Sequence, residues 1–321
     1  MKALLSQVQE IFASEQFLAE PKELYAPIDY TLRLGGKRIR PLLLLAANEL
    51  FDGDPSQVRD AALGIETFHN FTLLHDDLMD KSPLRRGMPT VYRKWDENTA
   101  ILSGDTMFAL AWRYFLRQPH ARLQEILTCF NETAIQVCEG QQYDMNFEHC
   151  DHTTMAEYMD MIRLKTAVLL AGALKIGALY ANAPDRDTEL LYRFGIHLGL
   201  AFQLQDDLLD SFGDVAVFGK KTGQDIRDNK KTFLFLKAIE IGSPTQQQQL
   251  QRLFSTTPEQ DDDKVSEVLG LYKILGIRQA TEAAIMSEYT QAREALGLVQ
   301  VDERKKSSLW QLTDTLIKRD K

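Results

Sequence analysis

Residues 123–143 read LQEILTCFNETAIQVCEGQQY, and this stretch decides the fold class. Its apolar residues recur at nearly every 3.6 positions, which is the periodicity of an amphipathic α-helix: Ile126, Phe130, Ala134, Val137 and Cys138. No proline, the strongest helix breaker, interrupts residues 120–183. Series of alternating Val, Ile or Thr runs joined by Asn-Gly or Asp-Gly turns, which typify sheets, are nearly absent. The sequence therefore predicts an all-α protein.

Two aspartate triads share the form D-D-x-x-D. Asp76-Asp77-Leu78-Met79-Asp80 and Asp206-Asp207-Leu208-Leu209-Asp210 begin 130 residues apart. On a helix, positions i and i+4 lie on one face and i+1 lies beside them, so each triad projects three carboxylates from about one turn. Like charges this close repel each other unless a cation lies among them, and Mg²⁺ prefers oxygen ligands. We interpret all six aspartates as candidate metal ligands.

The alternative is that an acidic chain produces such clusters by chance. Chance would rarely place the same pattern twice, and both triads follow apolar segments rather than solvated ones, Phe71-Thr72-Leu73-Leu74 and Ala201-Phe202-Gln203-Leu204. A functional interpretation is therefore favoured over a structural one.

Basic clusters follow both triads. Arg85-Arg86-Gly87 comes shortly after the first triad, while Lys220-Lys221-Thr222-Gly223 and Asp228-Asn229-Lys230-Lys231-Thr232 come after the second. Gly35-Gly36-Lys37-Arg38-Ile39-Arg40-Pro41 adds three cations beside a glycine pair that lets backbone approach an anion closely. One such cluster alone is commonly a solvated surface. Together with two acidic triads, they predict two subsites for anionic groups such as phosphates.

Composition limits the remaining functions. The 321 residues contain 37 Lys plus Arg against 46 Asp plus Glu, a formal charge of −9, which argues against nucleic-acid partners and anionic membranes. Three cysteines without a C-x-x-C spacing fit a reducing cytoplasm. The most apolar stretch, residues 167–183, contains Lys175 and is shorter than the ~20 residues of a membrane span. No linker or repeat divides the chain, so we expect one cytoplasmic domain over residues 1–321.

In order along the chain, these motifs resemble those of the trans-isoprenyl diphosphate synthases, or polyprenyl synthetases. The resemblance runs from about Leu34 to Phe233 and also includes Gly140-Gln141-Gln142-Tyr143-Asp144 and Lys165-Thr166. Its most specific block is Phe202 to Asp214, continued by Gly219 to Ile226. The chain is similar to the short-chain members, which make farnesyl and geranylgeranyl diphosphate.

This resemblance implies the isoprenoid synthase fold, an antiparallel bundle of a dozen or more helices around a deep central cavity. The two triads would face each other across its mouth, and the protein would be a homodimer. The implied reaction is a Mg²⁺-dependent head-to-tail condensation of isopentenyl diphosphate with dimethylallyl, geranyl or farnesyl diphosphate. Pyrophosphate is released, and the product is a short-chain all-trans prenyl diphosphate.

The resemblance also implies a role for each polar motif. Three Mg²⁺ ions per active site, bridged by Asp76, Asp80 and Asp206, would stabilise the departing pyrophosphate. The allylic diphosphate would be held by Lys165, Lys221 and Lys230, with Arg85 oriented toward it. The diphosphate of isopentenyl diphosphate would be held by Lys37, Arg40, His69 and Arg86. The polar side chains of Thr166 and Gln203 would flank the allylic cation, and those of Gln141 and Asp144 would line the cavity.

Product length is expected to depend on the residues one turn before the first triad, Phe71 and Thr72. A product growing away from the metal end would meet the bulky Phe71 early, whereas a small residue there would resemble long-chain synthases. The first triad also lacks the two-residue insertion common in bacterial farnesyl synthases. These features favour a C20 product, geranylgeranyl diphosphate, with the C15 farnesyl diphosphate as the alternative.

Three other functions remain open at this point. A class I terpene cyclase shares the helical bundle, but its second metal motif usually mixes Asn, Ser or Thr with Glu. A non-catalytic regulatory subunit of a heteromeric synthase often loses one aspartate motif, and both are intact here. An acidic ion buffer would leave the basic clusters and Phe71 without a role.

Overall fold

The computed structural model describes residues 2–150, 152–213, 222–255 and 262–317. These residues are almost entirely helical, and the sheet among them is a hairpin of β1 (Leu84–Arg85) and β2 (Met88–Pro89). The prediction of an all-α protein is confirmed. The helices are α1 (Lys2–Ser14), α2 (Lys22–Arg33), α3 (Ile39–Leu50), α4 (Pro55–Met79), α5 (Val91–Lys94), α6 (Glu97–Phe115), α7 (Leu123–His149), α8 (Met155–Ile162), α9 (Val168–Tyr180), α10 (Asp185–Phe212), α11 (Gln224–Arg227), α12 (Phe233–Ile241), α13 (Pro244–Phe254), α14 (Asp262–Ile274), α15 (Ile277–Gly297) and α16 (Ser307–Ile317).

The chain divides into two compact units. The first contains the residues up to Cys129 together with Ala173–Thr188 and Val301–Leu309, and the second contains the remainder. Helices α7, α9, α10 and α16 each contribute residues to both units. The prediction of a single domain stays a prediction.

Helix α4 is the central element of the first unit. It begins where Asp54 Oδ1 accepts a hydrogen bond from the Ser56 backbone N–H at 2.8 Å, and Pro55 occupies the first helical position, where its missing N–H costs nothing. It packs against α3 and α6, and its interior residues are almost fully buried. This packing fixes the helix that carries the first triad at its C-terminal end.

A tight turn joins β1 to β2 just after this helix. Both central residues, Arg86 and Gly87, have positive φ angles of 53° and 76°, as a two-residue hairpin loop of the primed type requires. The turn therefore sets the position of the Arg86 side chain.

The core of the second unit is built by α8, α10 and the helices from α12 to α15. Aromatic side chains are prominent in it: the rings of Phe235 and Phe254 lie 4.3 Å apart, and Tyr272 is 1% exposed. This core supports the part of α10 that carries the second triad. No helix in the described ranges combines the length and apolar character that crossing a bilayer would require.

Candidate active site

The first triad ends helix α4 with two different kinds of aspartate. Asp76 is partly exposed and Asp80 is exposed, whereas Asp77 is only 4% exposed. Arg85 on β1 donates from Nε to both oxygens of Asp77 at 2.9 and 2.8 Å, and its Nη2 lies 2.7 Å from Oδ1. Burial raises the pKa of the Asp77 carboxyl, and Arg85 partly offsets this. The structure therefore places Asp77 in an ion pair with Arg85, while Asp76 and Asp80 border solvent.

Three of the four residues predicted to bind isopentenyl diphosphate, Arg40, His69 and Arg86, come together in the first unit. Arg40 Nη1 on α3 lies 3.0 Å from His69 Nε2 on α4, and the Arg86 guanidinium donates to the Gly35 carbonyl. Burial lowers the pKa of Arg40 to about 10. Lys37 is exposed at the start of this segment.

His69 lies among several positively charged side chains. Burial is the main cause that lowers its pKa well below the usual value, and repulsion by Arg40, Arg86, Arg85 and Arg38 lowers it further. The imidazole is therefore neutral at pH 7 and presents one donor and one acceptor.

Close approach of backbone explains the glycine pair. A Cβ at Gly36, where φ is 125°, would lie 2.6 Å from Arg86 Nη2 and 2.7 Å from its Cζ. Only glycine fits there without moving the guanidinium. Gly36 thus lets the segment before α3 lie directly against Arg86, a residue predicted to bind a diphosphate.

Phe71 belongs to an aromatic cluster behind the first triad. Its ring centroid lies 5.6 Å from that of Phe68, 4.8 Å from His75 and 5.5 Å from Phe108 on α6. Thr72 donates from Oγ1 to the His69 carbonyl at 2.8 Å. Phe68 and Phe108 were not identified from the sequence, because Phe108 reaches the cluster through tertiary packing of α6 on α4.

The second triad, on α10, also contains one deeply buried aspartate. Asp207 is 4% exposed and accepts hydrogen bonds from the Tyr158 hydroxyl and, at 3.1 Å, from Gln203 Nε2. Burial raises the pKa of Asp207 to about 7 although both hydrogen bonds lower it. Asp210 accepts from the backbone N–H groups of Gln224 and Asp225 at 3.2 and 3.0 Å, at the start of α11.

Asp206 is partly exposed, like Asp76 in the first triad. Asp207 and Asp210 have the hydrogen-bond partners described above. Tyr158 lies 49 residues from Asp207, and no sequence motif indicates this contact.

Lys165 and Thr166 lie in a π-helical turn, Arg163–Ala167, between α8 and α9. Such wide turns are frequent at functional sites. Lys165 Nζ lies 2.5 Å from Asp144 Oδ2 on α7, and Thr166 Oγ1 donates to Gln203 Oε1 at 3.0 Å. The structure therefore brings together Lys165 and Thr166 with the polar residues predicted to act beside them.

Two glycines allow this turn to pack closely between α7 and α10. A Cβ at Gly140 would lie 2.3 Å from the Lys165 backbone nitrogen, and a Cβ at Gly199 would lie 2.4 Å from Ala167 Cα. Gly140 lies one helical turn before Asp144, the partner of Lys165. Gly199 lies one helical turn before Gln203, the partner of Thr166. Gly199 was missed from the sequence, although a glycine inside a long helical pattern is a signal of close packing.

The remaining predicted lysines lie after the second triad. Burial raises the pKa of Asp225 well above its usual value, and the charges of Asp210 and Asp207 raise it further. Lys230 is partly exposed, and its positive charge lowers the pKa of Asp225 in part. Lys221 lies outside the described residues, so its predicted role stays a prediction.

The donor set fits Mg²⁺ that is completed by substrate. Within residues 2–150, 152–213, 222–255 and 262–317, no three His, Cys, Asp or Glu side chains form a group that could hold a metal ion by themselves. Mg²⁺ commonly takes only one or two carboxylates and fills its octahedron with waters and substrate phosphates. The solvent-facing Asp76, Asp80 and Asp206 suit that arrangement.

Comparison with known proteins identifies the family. A family model described as polyprenyl synthetase matches residues 21–272, most of the chain. The chain belongs to the polyprenyl synthetase family. The resemblance inferred from the sequence motifs is confirmed, and the protein is a trans-prenyltransferase. Members of this family are generally Mg²⁺-dependent.

Individual members of the polyprenyl synthetase family agree along most of the chain. A short chain isoprenyl diphosphate synthase of Methanothermobacter thermautotrophicus is 34% identical over 301 residues, which cover 94% of this chain and 91% of that protein. A geranylgeranyl diphosphate synthase of Methanosarcina mazei is 40% identical over 227 residues, 70% of each protein. A crystal structure of a geranylgeranyl pyrophosphate synthase has 42% identity and a TM-score of 0.94, covering 100% of this chain and 99% of that one. The predicted isoprenoid synthase fold is thereby confirmed.

Proposed function

We propose that this enzyme condenses isopentenyl diphosphate with allylic diphosphates to give geranylgeranyl diphosphate, C20, and releases pyrophosphate. The observation that carries the proposal is the basic site of the first unit, where Arg40 and His69 lie 3.0 Å apart on neighbouring helices and Arg86 contacts Gly35. This site lies on the helix that ends in the first aspartate triad. A diphosphate site beside carboxylates suited to Mg²⁺ is what the condensation requires.

Ionisation of the allylic substrate is assigned to the two triads and the π-helical turn. Three bound Mg²⁺ ions would act as Lewis acids on the leaving pyrophosphate. On this proposal Asp76, Asp80 and Asp206 are the ligands, and Asp77 and Asp207 hold their triads in position through buried hydrogen bonds. Asp210 does so through the start of α11.

The allylic diphosphate would be bound by four basic residues: Lys165, Lys221, Lys230 and Arg85. For Lys165 to do so, it must exchange its ion pair with Asp144 for the phosphate oxygens.

Stabilisation of the nascent allylic cation is assigned to the oxygen lone pairs of Thr166 and Gln203. Their side chains are hydrogen-bonded to each other at 3.0 Å, so their oxygens are already ordered before substrate arrives. Such preorganised dipoles stabilise developing charge without a reorganisation cost. The released pyrophosphate would accept the final proton, so no dedicated general base is required.

Isopentenyl diphosphate is assigned to Lys37, Arg40, His69 and Arg86. Arg40 and Arg86 supply planar guanidinium groups, which bind phosphate oxygens in a bidentate manner. The neutral imidazole of His69 can donate one further hydrogen bond without adding charge.

Product length is assigned to Phe71 and Thr72. The ring of Phe71 is held by Phe68, His75 and Phe108, so it forms a rigid obstacle one turn from the triad. Similar proteins are named geranylgeranyl (C20) and geranylfarnesyl (C25) diphosphate synthases, and these names support a product longer than the alternative C15.

We propose one polyprenyl synthetase domain over residues 1–321, acting as a homodimer around a central cavity. Exposed apolar side chains on α6 support a partner surface there: Ile101, Leu102 and Phe108 are 46%, 59% and 36% exposed. Sedimentation velocity would give the oligomeric state. The cytoplasmic location expected from the cysteines stays a prediction.

Product analysis tests the proposed function. The protein is incubated with Mg²⁺, isopentenyl diphosphate and, separately, dimethylallyl, geranyl or farnesyl diphosphate, and the products are sized by chromatography. We expect C20 as the main product, and Asp206→Ala should give none. A C15 end point would overturn the length assignment. Cyclic hydrocarbons formed without isopentenyl diphosphate would indicate a terpene cyclase, and no turnover with any primer would indicate a non-catalytic subunit.

A further inference from the structure

A buried glutamate lies among the arginines of the first unit. Glu66 on α4 is 2% exposed. Its Oε1 accepts from Arg38 Nη1 at 2.8 Å and from Asn70 Nδ2 at 3.2 Å. Among the described residues, its Oε2 is buried and has no hydrogen-bond partner. A buried carboxylate is retained at a free-energy cost unless it compensates nearby positive charge.

Arg38 is fixed on every side. Besides Glu66, its guanidinium donates to the Leu32 carbonyl and lies 4.2 Å from the centroid of the Phe12 ring. Its backbone has a φ of 48°, in the left-handed region, at the start of α3. Arg38 therefore anchors the segment that begins α3, and its sequence neighbours Lys37 and Arg40 are the residues assigned to the diphosphate.

The same carboxylate compensates the other cations of the site. Its negative charge raises the pKa of both Arg40 and Arg86, whereas burial and neighbouring arginines lower them. Arg40 Nε is also buried without a partner among the described residues, so this guanidinium retains a donor for a further acceptor. Without Glu66, several guanidinium groups would repel one another until a substrate diphosphate arrived.

We infer that Glu66 is a positioning residue for isopentenyl diphosphate, acting through Arg38 and through charge compensation of Arg40 and Arg86. This inference rests on the proposed function, because it names a residue that holds the substrate-binding side chains of that same site in place. Glu66 holds the cations in their binding arrangement in the free enzyme. The cost of assembling like charges is then met during folding rather than at the binding step.

Steady-state kinetics of Glu66→Gln test the inference. Glutamine keeps the size and one acceptor but removes the charge. Because the carboxylate that holds these cations in place is lost, KM for isopentenyl diphosphate should rise about tenfold, which corresponds to about 1.4 kcal/mol of binding free energy. KM for the allylic diphosphate should stay within about twofold, since Lys165 and Lys230 do not depend on this pair. Glu66→Asp, which restores the charge, should recover part of the lost affinity.

Two further variants make the test decisive. Glu125→Gln removes a matched carboxylate, paired with Arg122 at 2.5 Å outside the site, and both KM values should remain unchanged. If Glu66→Gln fails to fold, Arg38→Lys replaces it, because lysine keeps the charge but lacks the planar fork whose Nη1 bonds Glu66 and whose Nη2 bonds the Leu32 carbonyl. It should raise KM for isopentenyl diphosphate in the same selective way.

The outcomes separate this inference from the proposed function. An equal rise in both KM values, an unchanged KM, or a lowered KM for isopentenyl diphosphate in Glu66→Gln would overturn the positioning role while wild-type condensation stands. Absence of condensation by the wild-type enzyme would instead overturn the proposed function.

Discussion

Replacing Asp77 by asparagine should separate the two kinds of aspartate in the first triad. Asp77 loses its charge but keeps its size, and Arg85 loses its ionic partner. The side chains are 6% and 32% exposed. Breaking a buried pair costs about 3–5 kcal/mol and an exposed pair at most about 1 kcal/mol. Because Asp77 is buried and Arg85 is partly exposed, the cost should lie between these two limits, at about 2 kcal/mol, near the middle of the range for a lost charged hydrogen bond.

Asp80→Asn is the matched variant. Asp80 is exposed at the C-terminal end of α4, where the helix dipole disfavours a carboxylate. Its negative charge also raises the pKa of Asp77, in addition to the larger effect of burial. Its removal should therefore leave the unfolding temperature of metal-free protein unchanged or slightly higher. As a proposed Mg²⁺ ligand, however, its loss should lower kcat at least about 100-fold, or about 2.7 kcal/mol of barrier.

Thermal unfolding in EDTA and initial rates in excess Mg²⁺ provide both readouts. Asp77→Asn should unfold about 4 °C below the wild type, at roughly 2 °C per kcal/mol for a chain of this size. It should also retain more turnover than Asp80→Asn at a temperature where both are folded. If Asp77→Asn unfolds with the wild type while Asp80→Asn is the less stable variant, the assignment of anchor and ligand is wrong.

Three further predictions concern product length, pH and packing. Phe71→Ala should shift the chromatographic profile beyond the wild-type product, with Phe108 limiting the gain; an unchanged profile would place the obstacle elsewhere. In metal-free unfolding experiments, the wild type should lose stability relative to Asp207→Asn as pH rises from about 4 to about 7. In that interval the Asp207 carboxyl keeps its proton in the folded protein, whereas in the unfolded chain, with a pKa of about 4, it ionises. The difference should be constant above about pH 7, and a flat difference throughout would contradict the raised pKa. Gly199→Ala should lower turnover at least about tenfold. Its Cβ would lie 2.4 Å from Ala167 Cα and would displace the turn that carries Lys165 and Thr166, and a displacement of about 1 Å in a catalytic group is costly. Gly270→Ala, where an added Cβ meets nothing within 4 Å, should retain full turnover, and equal losses in both would contradict the packing argument.

Local patterns were sufficient to predict the helices and the positions of the triads. The period of about 3.6 residues in the segment 123–143 describes one face of a helix, and α7 covers that segment. The i, i+4 spacing likewise predicts that Asp76 and Asp80 leave one side of α4, where both meet solvent. These features depend only on residues within a turn or two of each other, which is why a single sequence reveals them.

Partners distant in sequence could not be predicted in the same way. Nothing near Asp207 indicates that the Tyr158 hydroxyl will bind it, nor that α6 will bring Phe108 to Phe71. Glu66 was overlooked because a lone glutamate in a helix is ordinarily a solvated residue. Each of these contacts arises from tertiary packing, and each changes the role assigned to a residue that the motif had already identified.

On the proposed function, pyrophosphate leaves an allylic diphosphate under the control of the two aspartate triads. The most direct measurement follows pyrophosphate released and isopentenyl diphosphate consumed in the same reaction, with geranyl diphosphate as primer. We predict one pyrophosphate for each isopentenyl diphosphate, complete dependence on Mg²⁺, and loss of both signals in Asp76→Ala and in Asp206→Ala. Release of pyrophosphate without consumption of isopentenyl diphosphate, or near-normal turnover of either variant, would contradict the account.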